Sequence, residues 1–160
     1  MAASAGRGPD IVIAGAMKCA TTQLHHLLGQ HRHIATGGIK ELNFFSDGAN
    51  FARGLVWYEQ QFAGAPHGAL RLDSSPNYSK RHLWPQTAER LHRASPDATI
   101  VYIVREPLDR MRSHYVHSVA EMRERRSFDS VVRERDDPMV LTTMYHWQLE
   151  PFVERFGTNQ

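Results

Sequence analysis

Eight residues near the start of the chain, Gly15-Ala16-Met17-Lys18-Cys19-Ala20-Thr21-Thr22, combine small side chains, one lysine and two adjacent hydroxyls. Gly15, Ala16 and Ala20 would let the backbone come close to an anion's oxygens. Lys18 adds a mobile positive charge, and Thr21 and Thr22 add hydroxyl donors. The set suits a phosphate, provided it lies at a helix N-terminus, where free N–H groups and the helix dipole favour negative charge. The spacing is not the nucleotide-triphosphatase pattern G-x-x-x-x-G-K-[ST], because the lysine comes early and the second glycine is missing. The same residues also fit a tight strand–helix turn with a solvated lysine and a threonine cap.

A second set is Arg105-Glu106-Pro107-Leu108-Asp109-Arg110-Met111-Arg112-Ser113. An arginine at a strand end can grip a phosphate with its guanidinium fork, and Ser113, about two turns into the following helix, can add a neutral donor. Alternatively, Arg105 pairs with Glu106 or Asp109 and Ser113 is a surface residue. Two such sets at the ends of adjacent strands favour the anion reading of both. Of the ten histidines, His114 and His117 share helical i, i+3 spacing, but no carboxylate sits at a matching ligand position, so no metal is expected.

These side chains need a scaffold, and the sequence supplies one. Ile11, Val12 and Ile13 make a short apolar run ending in glycine, the look of a strand buried on both faces. Leu24, Leu27 and Leu28 place a helix over 21–30. Residues 69–72 predict a second strand, followed by a turn at 73–77 and a helix over 83–94. Thr99–Val104 is the strongest strand signal, and Pro107 suits the first turn of a helix running to about Arg125. Further helices are expected over 55–62, 128–135 and 140–156. Strand, loop and helix in alternation imply a parallel sheet covered by helices. Ligands bind such sheets at the carboxyl ends of the strands, where both sets fall. Trp57, Tyr58 and Phe62 read as packing residues.

Composition narrows the function. The chain has 160 residues with 19 basic and 17 acidic side chains, room for about one domain and a net charge of +2. That balance gives no general case for a nucleic-acid or membrane-surface partner, so recognition of an anion must be local. The lone Cys19 cannot form an intrachain disulfide. Residues 1–9 read as a flexible lead without the apolar core of a signal peptide. No stretch approaches the roughly 18 apolar residues of a membrane span, so a cytoplasmic location is expected. The end, Gly157-Thr158-Asn159-Gln160, reads as a turn before an element that does not follow. Three strands make a thin sheet with an open edge, which predicts a domain cut short over 10–160 and gives self-association a route.

Together the two sets resemble sulfotransferases that use 3′-phosphoadenosine 5′-phosphosulfate (PAPS). The Gly15–Thr22 loop is similar to that family's 5′-phosphosulfate loop, and Arg105 with Ser113 to its 3′-phosphate site. Between them, Lys40-Glu41-Leu42-Asn43-Phe44-Phe45-Ser46, Trp57-Tyr58 and Asp73-Ser74-Ser75-Pro76-Asn77-Tyr78 follow the order of the branch that includes heparan sulfate sulfotransferases and bacterial relatives, as does Tyr145-His146-Trp147-Gln148-Leu149 later on. The chain departs from that branch at Asn43, Ser74 and Asp73, where relatives carry histidine, lysine and glutamate.

The resemblance implies an α/β, P-loop-like three-layer sandwich of which this chain is the N-terminal portion. It also implies transfer of a sulfuryl group from PAPS to a hydroxyl or amine of a small molecule or carbohydrate. Residues 15–22, Arg105 and Ser113 would hold the nucleotide, with Lys18 stabilising the leaving phosphate. Glu41 would be the base, with Phe44 and Phe45 desolvating its carboxylate and Asp73 or a histidine in reserve. A non-catalytic nucleotide-binding module and a P-loop kinase are the alternatives.

Overall fold

The computed structural model describes residues 6–158, so residues 1–5 of the lead and Asn159-Gln160 lie outside the described residues. Residues 6–9 are packed down, with Gly6 against the Leu55 backbone and Gly8 against Ser95.

Four parallel strands form one sheet: β1 (Ile11–Gly15), β2 (Ile34–Thr36), β3 (Leu70–Ser74) and β4 (Thr99–Tyr102), in the order β2-β3-β1-β4. The central β1 pairs with both β3 and β4, and Val12, Ile13 and Ala14 are fully buried, as its apolar run requires. The helices flanking the sheet are α1 (Thr21–Gly29), α2 (Gly48–Phe51), α3 (Gly54–Gln60), α4 (Thr87–Ala94), α5 (Pro107–Ala120), α6 (Phe128–Arg133), α7 (Pro138–Leu141) and α8 (Tyr145–Phe156). This is the expected α/β sheet-and-helix architecture. None of the described helices is long and apolar enough to cross a membrane.

The core grows from β1 toward an aromatic cluster. Phe44 and Phe45 meet edge-to-face at 4.9 Å, and Tyr58, Phe62 and Tyr78 complete the group with Leu91, Phe152 and Phe156. Offset and edge-to-face rings add to the large apolar area that each buries. At the end of β4 the Glu106 carboxylate caps α5, accepting from the Asp109 N–H at 2.7 Å, and Pro107 opens the helix.

Four expectations are corrected. The sheet has four strands among the described residues, because Ile34–Thr36 pairs with β3 although it is too short to show a periodicity. The second strand runs to Ser74 instead of ending at Leu72, because Asp73 and Ser74 are polar yet buried and hydrogen-bonded. The long last helix is two, α7 and α8, separated at Thr142–Met144. Finally, α5 ends at Ala120 instead of near Arg125.

Candidate active site at the carboxyl end of the sheet

The loop after β1 is held from below. A Cβ on Gly15 would lie 2.4 Å from Ser79 Oγ and 2.7 Å from the Tyr102 ring, so only glycine fits there. Ala16 N–H donates to the Ile103 carbonyl at 2.9 Å and Ile103 N–H returns to the Gly15 carbonyl at 2.9 Å, tying the loop to the end of β4. Lys18 and Ala20 take left-handed backbone conformations, with φ of 69° and 64°. Such geometry costs a non-glycine residue about 1 kcal/mol or more, and it clusters at ligand sites. In place of a threonine cap, α1 starts from Ala20, which has no side-chain oxygen, and its first turn holds no acidic residue. The N–H groups at the start of α1 are therefore left to an outside acceptor.

Above the loop opens a cavity of about 850 Å³. Met17, Lys18, Ala20, Thr21 and Thr22 line one side, and Glu41 lines it from the segment after β2. Pro76, Asn77 and Lys80 enter from the connection after β3, and Ser113 and His117, four residues apart on one face of α5, enter from beyond β4. Glu121 and Arg123 complete the wall. Lys18, Thr21, Thr22, Glu41 and Ser113 are thus brought together. Gly15, Ala16 and Cys19 are buried and do not line the cavity. Nor does Arg105, whose half-exposed guanidinium stands 3.8 Å from Asp109.

The cavity carries three cations, Lys18, Lys80 and Arg123, against two carboxylates, Glu41 and Glu121, and Arg123 is paired with Glu121. Burial holds the Lys18 ammonium below its ordinary pKa; Arg123 adds to the effect and Glu41 opposes it. Burial pulls Lys80 further, to about 8, against the attraction of Glu41 and with the repulsion of Arg110, Arg123 and Lys18. Cys19, between the Met17 carbonyl and the Tyr145 hydroxyl at 3.8 Å, has its thiol pushed up by burial.

The carboxylates differ from expectation. Glu41 accepts from Lys40 Nζ at 2.7 Å with its side chain 43% exposed, while Phe44 and Phe45 turn into the core, so the expected desolvation by these rings is absent. Asn43 donates to the Glu41 carbonyl at 3.0 Å and accepts from Asn77 at 3.2 Å, which fixes the Glu41 turn beside the β3 connection. Asp73 is ruled out as a reserve base. It is buried under the aromatic cluster and accepts from Tyr78 (2.7 Å), Ser75 (2.7 Å) and Tyr58 (3.1 Å). Ser74 is also buried, with its Oγ 2.8 Å from His25 Nδ1.

As cavity residues, sequence reasoning overlooked Lys80, His117, Glu121 and Arg123, and it gave Asn77 no role beyond its place in the family motif. Asn77 and Lys80 follow a strand at its carboxyl end and His117 is four residues from Ser113, but neither spacing is a motif that by itself marks a cavity residue. It also missed Arg110, which is fully buried, donating to Thr143 Oγ1 at 2.9 Å and to the Met139 carbonyl at 2.5 Å. Burial and the neighbouring Arg110 pull His114 down to about 3, so its imidazole is neutral at pH 7. Among the described residues no group of three or more His, Cys, Asp or Glu could hold a metal ion.

The fold and the sequence that carry this cavity have counterparts elsewhere. A crystal structure of a sulfotransferase from Alicyclobacillus acidocaldarius superposes with a TM-score of 0.78 and 29% identity, covering 96% of this chain and 71% of that one. The membrane-associated sulfotransferase kil1 of Dictyostelium discoideum is 28% identical over 138 residues, 81% of this chain and 28% of its own length. The mouse heparan sulfate glucosamine 3-O-sulfotransferase 3A1 is 25% identical over 160 residues, 95% of this chain and 39% of its own. The chain therefore spans well under half the length of these two relatives. Residues 8–160 match the family model described as the sulfotransferase domain, and the chain belongs to that family.

Proposed function

We propose that this chain is the N-terminal portion of a PAPS-dependent sulfotransferase domain, over residues 10–160, acting on a hydroxyl or amine acceptor. The observation that carries the reading is the convergence of Lys18, Thr21 and Thr22 with Ser113 on one basic cavity, in a chain of the sulfotransferase family. The donor set fits the nucleotide: N–H groups at the start of α1 and two hydroxyls suit the 5′-phosphate, and Lys18 suits the oxygen that bridges it to sulfur. Bound PAPS would supply an electrophilic sulfuryl group.

The chain's own work is then positioning and charge stabilisation. Residues 15–22 orient the phosphosulfate. As the acceptor oxygen or nitrogen bonds to sulfur and the bridging S–O bond breaks, Lys18 neutralises the oxygen that leaves on the phosphate. Glu41 takes the acceptor's proton. It is the cavity carboxylate on the loop side, and Asn43 and Asn77 hold its turn in place. Arg105 and Ser113 hold the 3′-phosphate once Arg105 leaves Asp109, a separation that costs little because exposed pairs are worth only about 0–1 kcal/mol.

A carbohydrate is the favoured acceptor, since the mouse relative 3A1 is named for heparan sulfate glucosamine. The exposed Glu41, engaged by Lys40, favours one second reading, a module that binds the nucleotide without transferring sulfate.

Two assays separate the readings. Adenosine 3′,5′-bisphosphate at a hundredfold excess over Kd should stabilise the protein by about 2.7 kcal/mol under either reading. Labelled PAPS with a panel of sugars, phenols and amines should yield a labelled product for the enzyme and none for the binder. Stabilisation by ATP–Mg²⁺ in place of the bisphosphate would count against both.

A further inference from the structure

We propose that Lys80 is a second cationic ligand of the anion held at the Lys18 loop, reaching it from the connection after β3. The proposal rests on the PAPS reading and adds to it a residue outside the two anion-binding segments.

The backbone of Lys80 is fixed. Its N–H donates to the Asn77 carbonyl at 3.0 Å, and its own carbonyl accepts from the Leu83 and Trp84 N–H groups at 2.9 and 2.8 Å. The side chain therefore leaves a rigid turn that closes the short 3₁₀ segment Pro76–Ser79, and it lines the same cavity as Lys18, Thr21 and Ser113.

What surrounds the ammonium is unbalanced. Lys18 faces it from the β1 loop, Arg110 and the neutral His114 from α5, Arg123 from beyond α5, and His82 from its own turn. Of the cavity's two carboxylates, Glu41 faces it but is already engaged by Lys40 at 2.7 Å, and Glu121 is engaged by Arg123. Among the described residues no carboxylate stands within ion-pair distance of Lys80 itself. A desolvated cation beside Lys18 and Arg110, with both nearby carboxylates already paired, is unfavourable until an anion arrives. A phosphate or sulfonate between Lys80 and Lys18 would remove the repulsion on both. A compact ammonium on a flexible stem suits such a point contact.

The sign of the pH effect follows. With its pKa near 8, Lys80 is mostly protonated at pH 7 and mostly neutral above pH 9. An anion that needs the ammonium must then bring a proton with it, so affinity falls as pH rises.

The chain has only three lysines, Lys18, Lys40 and Lys80, which makes trace acetylation with mass-spectrometric readout decisive. At pH 8, saturating adenosine 3′,5′-bisphosphate should slow acetylation of Lys80 about tenfold or more relative to Lys40. Protection of Lys18 with Lys80 unchanged would overturn the Lys80 proposal and leave the PAPS reading standing. Protection of neither, with no thermal stabilisation by the nucleotide, would overturn both. As a second measure, the Kd of the wild-type protein should weaken between pH 7 and 9.5 by about 10–30-fold more than that of Lys80→Met, with Lys80→Arg holding its affinity across the range. Equal pH profiles for the wild type and Lys80→Met would contradict the contact.

Discussion

The carboxyl ends of β1 and β4 both carry cations suited to phosphate, yet they stand in different states. At β1 the parts already face one cavity: Lys18, Thr21 and Thr22 line it, and α1 begins without a side-chain cap. At β4 the parts are divided, since Ser113 lines the cavity while Arg105 leans on Asp109 outside it. The loop after β1 is locked by backbone hydrogen bonds and a glycine contact that admits no side chain, whereas Arg105 is placed by one exposed ion pair. Backbone constraint can prepare a site in advance. A long surface side chain settles on the nearest charge and needs its ligand to draw it away.

The sharpest break of that comparison is Lys18→Ala. It should lower turnover by about 10²–10³, the usual loss for one preorganised donor, and an effect under about tenfold would remove Lys18 from the leaving-group role. Next comes Glu41→Gln, expected to cost about a hundredfold in turnover with nucleotide affinity unchanged. Retained activity would move the base to another group, with His117 in the same cavity the first to test.

Arg105→Ala should weaken binding of adenosine 3′,5′-bisphosphate by about 10–100-fold, the worth of a charged hydrogen bond. It should leave binding of the 5′-monophosphate, which lacks the group Arg105 would hold, unchanged. Equal losses for both nucleotides would show that Arg105 does not read the 3′ end.

The smallest effect on transfer belongs to the core. Burial raises the Asp73 carboxyl above its ordinary pKa, against the pull of its three hydroxyl donors. Ionising it therefore opposes folding, and the cost appears as pH rises from the ordinary pKa through the raised one. Tyr78→Phe removes one donor and should lower stability by about 1–3 kcal/mol at pH 7 and by less at pH 4, where more of the carboxyl holds its proton, without changing turnover per folded molecule. Unfolding midpoints at the two pH values check it.

Much of the frame was legible because it depends on local patterns. The Ile11-Val12-Ile13 run, the β-favouring Thr99–Val104, whose strand stops at Tyr102, and Pro107 after it each specify their element without help from the rest of the chain. Where the reading slipped, tertiary contacts decide. Ile34–Thr36 becomes a strand because β3 offers it a partner. Asp73 and Ser74 belong to a strand because the Tyr58, Tyr78 and Ser75 hydroxyls and His25 satisfy them inside the protein. Family likeness singled out Asp73 as a reserve base, and burial removes it. Conversely Lys80 and His117 carry no motif, and their place in the cavity follows from the packing of the β3 connection and α5 around the loop.

The central claim is that the basic cavity above residues 15–22 receives a doubly phosphorylated adenosine. A crystal of the protein soaked with adenosine 3′,5′-bisphosphate tests it most directly. The 5′-phosphate should lie on the N–H groups that open α1, within hydrogen-bond reach of Lys18, and the 3′-phosphate beside Ser113 with Arg105 turned away from Asp109. A nucleotide bound elsewhere, or a cavity left empty at saturating concentration, would contradict it.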